Sequence, residues 1–140
     1  MRRYEFVEHT ADVAVRAYGA DLAEAFAATA EALFGVIAGG GEIRPLRDVR
    51  LEAEGIDRDG LLVAFLSQLI LVFEVDGMVL TDFEVTLADG HALQARGRGE
   101  AFSESRHGGG DQVKGVSYHM MEIEDGGGVR PSRVQVLFDI

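Results

Sequence analysis

The chain has 140 residues, 24 of them acidic and 13 basic, for a formal net charge of −11; it has no cysteine, and 47% of its residues are hydrophobic. These figures exclude a disulfide framework, a thiolate metal site, a cysteine nucleophile and a disordered acidic tail. A pI near 4.7 also excludes high-affinity nucleic-acid binding through broad phosphate neutralisation, which needs clustered Lys and Arg.

A chain of this length buries roughly two-thirds of its unfolded surface, so one domain over residues 1–140 is expected to fold without staples. No apolar segment follows Arg2 and Arg3 as a signal peptide would require. The longest apolar stretch, Leu61 to Val75, is broken by Ser67, Gln68 and Glu74 and is too short to span a bilayer. The expectation is a cytoplasmic protein with no membrane contact. Oligomeric state is not legible. The basic residues are arginines except for a single lysine, Lys114.

Tyr4 and Phe6 alternate with charged neighbours and predict a strand from Arg3 to Glu8. After a polar break, Val13 to Tyr18 predicts a second strand ending at Gly19. Asp21 and Glu24 have the spacing of a capping box. Leu22, Phe26, Ala30, Leu33, Phe34 and Ile37 then recur at helical spacing as far as Gly39-Gly40-Gly41, where positive φ is free. Val49, Leu51 and Ala53 alternate as a strand. Asp57 and Asp59 supply caps for a second helix, whose stripe of Leu61, Leu62, Phe65, Leu66, Leu69, Ile70 and Phe73 predicts deep packing. Phe83, Val85 and Leu87, the turn Asp89-Gly90, and Ala92 to Arg98 read as a hairpin. From Gly99 to Asp111 the pattern fails and predicts a mobile loop, with Gly108-Gly109-Gly110 beside His107 as a hinge for partner contact. Val113 to Ile123 and Val134 to Phe138 predict two more strands about a Gly126-Gly127-Gly128 turn. The order β-β-α-β-α-β-β-β-β predicts an α+β fold, a single mixed β-sheet packed with two main helices.

Three stretches could carry chemistry. Glu8-His9-Thr10-Ala11-Asp12 lies between two strands that should pair. It reads either as a turn bonded to its own backbone or as a source of site residues at the sheet rim. Phe138-Asp139-Ile140 ends the given sequence, so the Asp139 carboxylate and an Ile140 α-carboxylate would be adjacent like charges, which repel unless a cation bridges them. With Asp12 they would form an all-oxygen site for a hard divalent ion, provided the two segments meet. In Lys114-Gly115-Val116-Ser117-Tyr118-His119, downstream of His107, lysine can contact phosphate and histidine can move protons near neutral pH. The alternative is an ordinary strand with Tyr118 in the core.

Together these stretches resemble the archease family, whose pattern is an acidic residue followed by His-Thr-Ala-Asp, a downstream Lys-Ala-x-Thr-Tyr-His, and a terminal Phe-Asp-Ile or close variant. Here Glu8 stands where some members have Asp, and Gly115 and Ser117 replace Ala and Thr. The resemblance covers essentially the whole chain. It implies a non-enzymatic cofactor that promotes guanylylation and multiple turnover of an RtcB-type RNA ligase in tRNA splicing or RNA repair. It also implies a divalent metal ion on Asp12, Asp139 and Ile140, with Ca²⁺ preferred over Mg²⁺ or Mn²⁺. His9, Thr10, His107, Lys114, Tyr118 and His119 are the candidate partner contacts. Two other readings remain open. One is a metal-dependent hydrolase with His119 or His9 as general base; the other is a chaperone or adaptor without a metal role.

Overall fold

A computed structural model of the protein describes residues 2–7 and 12–140. Glu8, His9, Thr10 and Ala11, which carry part of the first motif, lie outside the described residues. The elements in chain order are β1 (Arg3–Val7), β2 (Asp12–Gly19), α1 (Leu22–Ile37), β3 (Arg47–Glu54), α2 (Arg58–Asp76), β4 (Met78–Ala88), β5 (Ala92–Ala101), α3 (Glu104–His107), β6 (Gly115–Glu124) and β7 (Ser132–Asp139).

The α+β class is as expected, but the strands do not lie in one mixed sheet. They form a four-stranded sheet, β1-β2-β7-β6, and a three-stranded sheet, β3-β5-β4, with every pairing antiparallel. The helices supply the reason. Besides the predicted stripe, α1 buries Ala25, Ala27, Ala28, Thr29 and Ala32. A helix buried on nearly every side needs cover on more than one face. Accordingly α1 packs against β1, β2 and β7 of one sheet and β4 of the other, while α2 packs against β6 and against β3 and β4. The small alanines let both sheets approach the helix closely.

The local signals behave as their chemistry requires. Asp21 Oδ1 accepts from Glu24 N at 2.8 Å, and Glu24 Oε1 accepts from Ala20 N at 2.9 Å. That second bond falls one residue earlier than the reciprocal capping box places it. Asp57 Oδ1 accepts from Gly60 N at 2.8 Å at the start of α2, and Gly77 closes that helix at φ 65°. Asp89 and Gly90 both have positive φ, 46° and 77°, as a type I′ hairpin turn demands.

The segment from Gly99 to Asp111 corrects the loop expectation. β5 continues through Gly99 and Glu100 to Ala101, and α3 follows. The glycine run beside His107 is not a hinge, because Gly108 and Gly110 are packed against backbone. A Cβ on Gly110 would lie 2.2 Å from Val36 O and 2.3 Å from Ile37 O, and one on Gly39 would lie 2.3 Å from Gly109 C. Two glycine triplets far apart in sequence thus meet backbone to backbone at the end of α1. Asp111 N donates to Val36 O at 3.0 Å and seals the contact.

Candidate functional site

In the four-stranded sheet, Val13, Val15 and Ala17 of β2 and Val134, Val136 and Phe138 of β7 join the core. Side chains alternate along a strand. Their neighbours therefore stand on the face turned away from the helices, in cross-strand rungs set by the register. One rung is Arg3–Tyr18–Arg133–Glu124, the next Glu5–Arg16–Gln135–Glu122, and the third Val7–Ala14–Leu137–Ser117. The last is Asp12–Asp139–Gly115. The face grades from mixed charge through an apolar rung to a purely acidic end.

Asp12 and Asp139 are directly opposed, and opposed residues in an antiparallel pair have Cα atoms about 4.5–5.5 Å apart with side chains on one face. Asp139 also engages β6. Lys114 N donates to Asp139 O at 2.7 Å, and a Cβ on Gly115 would lie 3.8 Å from Asp139 Oδ2. All three motif stretches therefore converge here: the Asp of the first, the Lys-Gly of the second and the Phe-Asp-Ile of the third. Among the described residues no group of three or more His, Cys, Asp or Glu side chains is arranged to hold a metal. The donors that meet here are two carboxylates, an oxygen set suited to a hard divalent ion rather than a soft one.

Beyond this end, β6 departs from β7. Ser117 pairs with Leu137 and Glu122 with Gln135, so Tyr118, His119, Met120 and Met121 stand opposite one β7 residue. Met120 adopts φ 59°, a left-handed conformation that an unbranched non-glycine residue enters at a cost. The bulge leaves Tyr118 59% and Met120 50% exposed, and His119 is exposed as well. Tyr118 is therefore on the surface, not in the core. Lys114 is exposed next to the acidic end.

His107 is elsewhere. It is fully buried, so the expectation that it contacts a partner is corrected. Its Nδ1 accepts from Ser103 N at 2.9 Å, and its Nε2 lies 3.1 Å from Glu42 O and 3.3 Å from Glu100 Oε2. Glu100 is also buried. It accepts from both terminal guanidinium nitrogens of Arg106 and from Arg44 N at 2.7 Å. Those bonds, Arg106's foremost, lower its carboxyl pKa from 4.5 to about 2. This cluster ties α3 and the chain before β3 onto β5. Glu100 was concealed in sequence because the Gly-rich stretch around it breaks the alternation that marks a strand.

Residues 4–140 match the Archease protein family (MTH1598/TM1083). The chain belongs to the archease family. It is 39% identical over 127 residues to "Protein archease" of Pyrococcus abyssi and 40% identical over 127 residues to that of Pyrococcus furiosus, in each case over 89% of both chains. Among solved structures it resembles Protein 1598 of Methanobacterium thermoautotrophicum, with TM-score 0.72 and 31% identity over 98% of each chain. An archease of Thermotoga maritima, described as a possible chaperone, shares the fold at TM-score 0.63 and 18% identity, over 96% of this chain and 94% of that one. These archease relatives are named as proteins, not as enzymes. No helix among the described residues is long and apolar enough to cross a membrane.

Proposed function

We propose that this archease is a metal-binding protein cofactor of an RtcB-type RNA-splicing ligase, promoting that ligase's guanylylation and multiple turnover in tRNA splicing or RNA repair. One observation carries the reading: Asp12, Gly115 and Asp139, from three stretches remote in sequence, occupy a single rung at one end of the sheet. Packing of the core does not call for two opposed carboxylates at this rung, whereas a hard divalent ion is held by just such oxygens.

Asp12, Asp139 and a main-chain oxygen at Ile140 would hold the ion, Ca²⁺ in preference to Mg²⁺ or Mn²⁺. When bound, the ion neutralises the opposed carboxylates and locks the ends of β2 and β7 together. Lys114 is exposed next to this end, and Tyr118 and His119 are exposed in the bulge further along β6; they offer a cation, an aromatic ring and an imidazole to the partner. His9 and Thr10 complete the proposed contact set from outside the described residues. A chain of net charge −11 is suited to address the ligase rather than its RNA. The chain turns over nothing itself; the nucleophile and the nucleotide belong to the partner.

The test mixes the protein with an RtcB-type ligase, GTP and divalent metal, and follows ligase guanylylation and the number of turnovers. Stimulation that Asp12→Ala abolishes supports the reading. Unchanged guanylylation and turnover in the presence of the wild-type chain would sink it.

A further inference from the structure

The bulge of β6 is held from below by a residue that takes no part in the acidic end. Gln135 of β7 is only 5% exposed, yet it stands on the sheet face away from the helices. Its carboxamide is fully used. Oε1 accepts from Arg16 Nε at 2.8 Å; Nε2 donates to Met120 O at 2.8 Å and to Glu122 Oε2 at 3.0 Å. Met120 is the residue with φ 59°. Its carbonyl has been lifted off the β6–β7 ladder and is satisfied by this side chain instead.

The geometry has a direct consequence. A bulge with four residues opposite one gives up several ladder bonds, and unpaired backbone groups would favour collapse to a regular strand or fraying. Gln135 replaces one lost bond at the strained residue, and Arg16 fixes the amide so that its nitrogen rather than its oxygen points at Met120. Only an amide meets both demands, since it accepts from the arginine and donates to the carbonyl and to Glu122. The segment held this way carries Tyr118, His119 and Met120, which are exposed although two of the three are large and apolar. Rigidly presented aromatic side chains bind partners with little loss of conformational entropy.

We infer that Gln135 is a positioning residue: through its bonds to Met120 and Arg16 it sets the Tyr118–Met120 bulge in the conformation that docks the ligase. This inference rests on the function proposed above for its partner, but the strut itself does not.

The test uses Gln135→Met, which keeps the length and apolar volume and removes every amide bond, beside Tyr118→Ala and the double variant. Amide hydrogen exchange is expected to quicken in Gln135→Met over residues 118–122 while α1 and α2 keep their protection. The concentration giving half-maximal ligase stimulation should rise about tenfold, the equivalent of 1.4 kcal/mol, with the maximal stimulation retained. The double variant should bind no more weakly than Tyr118→Ala alone, because both changes remove the same contact. Should Gln135→Met not fold, Gln135→Glu keeps the acceptor for Arg16 but cannot donate to Met120 when ionised, and the same results are expected of it. Unchanged exchange in the bulge overturns the strut. Unchanged half-maximal concentration, or effects that add in full, overturns its role in docking. A wild-type chain that fails to stimulate the ligase, with exchange still quickened in the variant, removes the ligase assignment and leaves the strut standing.

Discussion

Asp12 and Asp139 lie opposite one another across the β2–β7 ladder, on the face of the sheet that carries no helix. A divalent ion bound between them would stabilise the folded state by RT ln(1 + [L]/Kd), because it binds only that state. Millimolar Ca²⁺ should therefore raise the melting temperature of the wild-type protein, and Asp139→Asn, which removes one carboxylate ligand, should lose most of that rise. Thermal melts of both proteins with and without Ca²⁺ check this. A wild-type melt that Ca²⁺ and Mg²⁺ leave unmoved counts against the site.

The meeting of the two glycine triplets sets a second expectation. Gly110→Ala places a methyl group 2.2 Å from Val36 O, against backbone that cannot rotate away, and should cost about 3 kcal/mol as overpacking. Gly109→Ala is the internal control, since a Cβ there meets nothing within 4 Å, and should fall within about 0.5 kcal/mol of wild type. Chemical denaturation of the two variants distinguishes a packed junction from a hinge. A hinge would make both substitutions similar in cost.

Glu100 governs part of the acid limb of stability. Its folded-state carboxyl sits at about 2, below the ordinary value of 4.5, chiefly because Arg106 bonds the ionised form. A group whose pKa is depressed by folding stabilises above its unfolded value and loses that contribution as pH falls toward the folded value. Between about pH 4.5 and pH 2 wild-type stability should decline more steeply than that of Glu100→Gln, which cannot titrate. Glu100→Gln should be the less stable protein at pH 7. Denaturation midpoints across that window check both statements, and parallel curves would contradict them.

The N-cap of α2 gives a fourth measurement. Asp57 satisfies Gly60 N, so Asp57→Ala should cost about 1 kcal/mol. Asp57→Ser, which keeps an acceptor, should recover most of it in the same unfolding assay.

Local chemistry was legible wherever a signal is local. Asp21, Asp57 and the Asp89-Gly90 turn each act within a few residues of themselves, and each element boundary near them lies close to its expected place. The stripe of α2 was equally plain, since apolar spacing at helical period has one interpretation. The motif residues Asp12, Lys114 and Asp139 could be named from the chain as well, through their resemblance to a family pattern.

What the chain could not state alone is which distant segments touch. Nothing in the neighbourhood of Asp12 specifies Asp139 as its partner; that follows from the β2–β7 register, which is set by burying Val13, Val15 and Phe138 on the opposite face. α1 read as a single stripe that left out Ala25, Ala27, Ala28 and Ala32, because periodicity marks the strongest face and is silent on a second, weaker one, so the two-sheet arrangement emerged only from packing. His107 looked available beside a glycine run until the fold put Glu42 and Glu100 around it. Gln135 looked like one polar residue in an alternating strand, and its bond to Met120 exists only because β6 bulges above it. The sequence determined the elements and the kinds of group on offer; tertiary structure decided which of them meet, because register and close packing are properties of pairs of segments and are not encoded in either segment by itself.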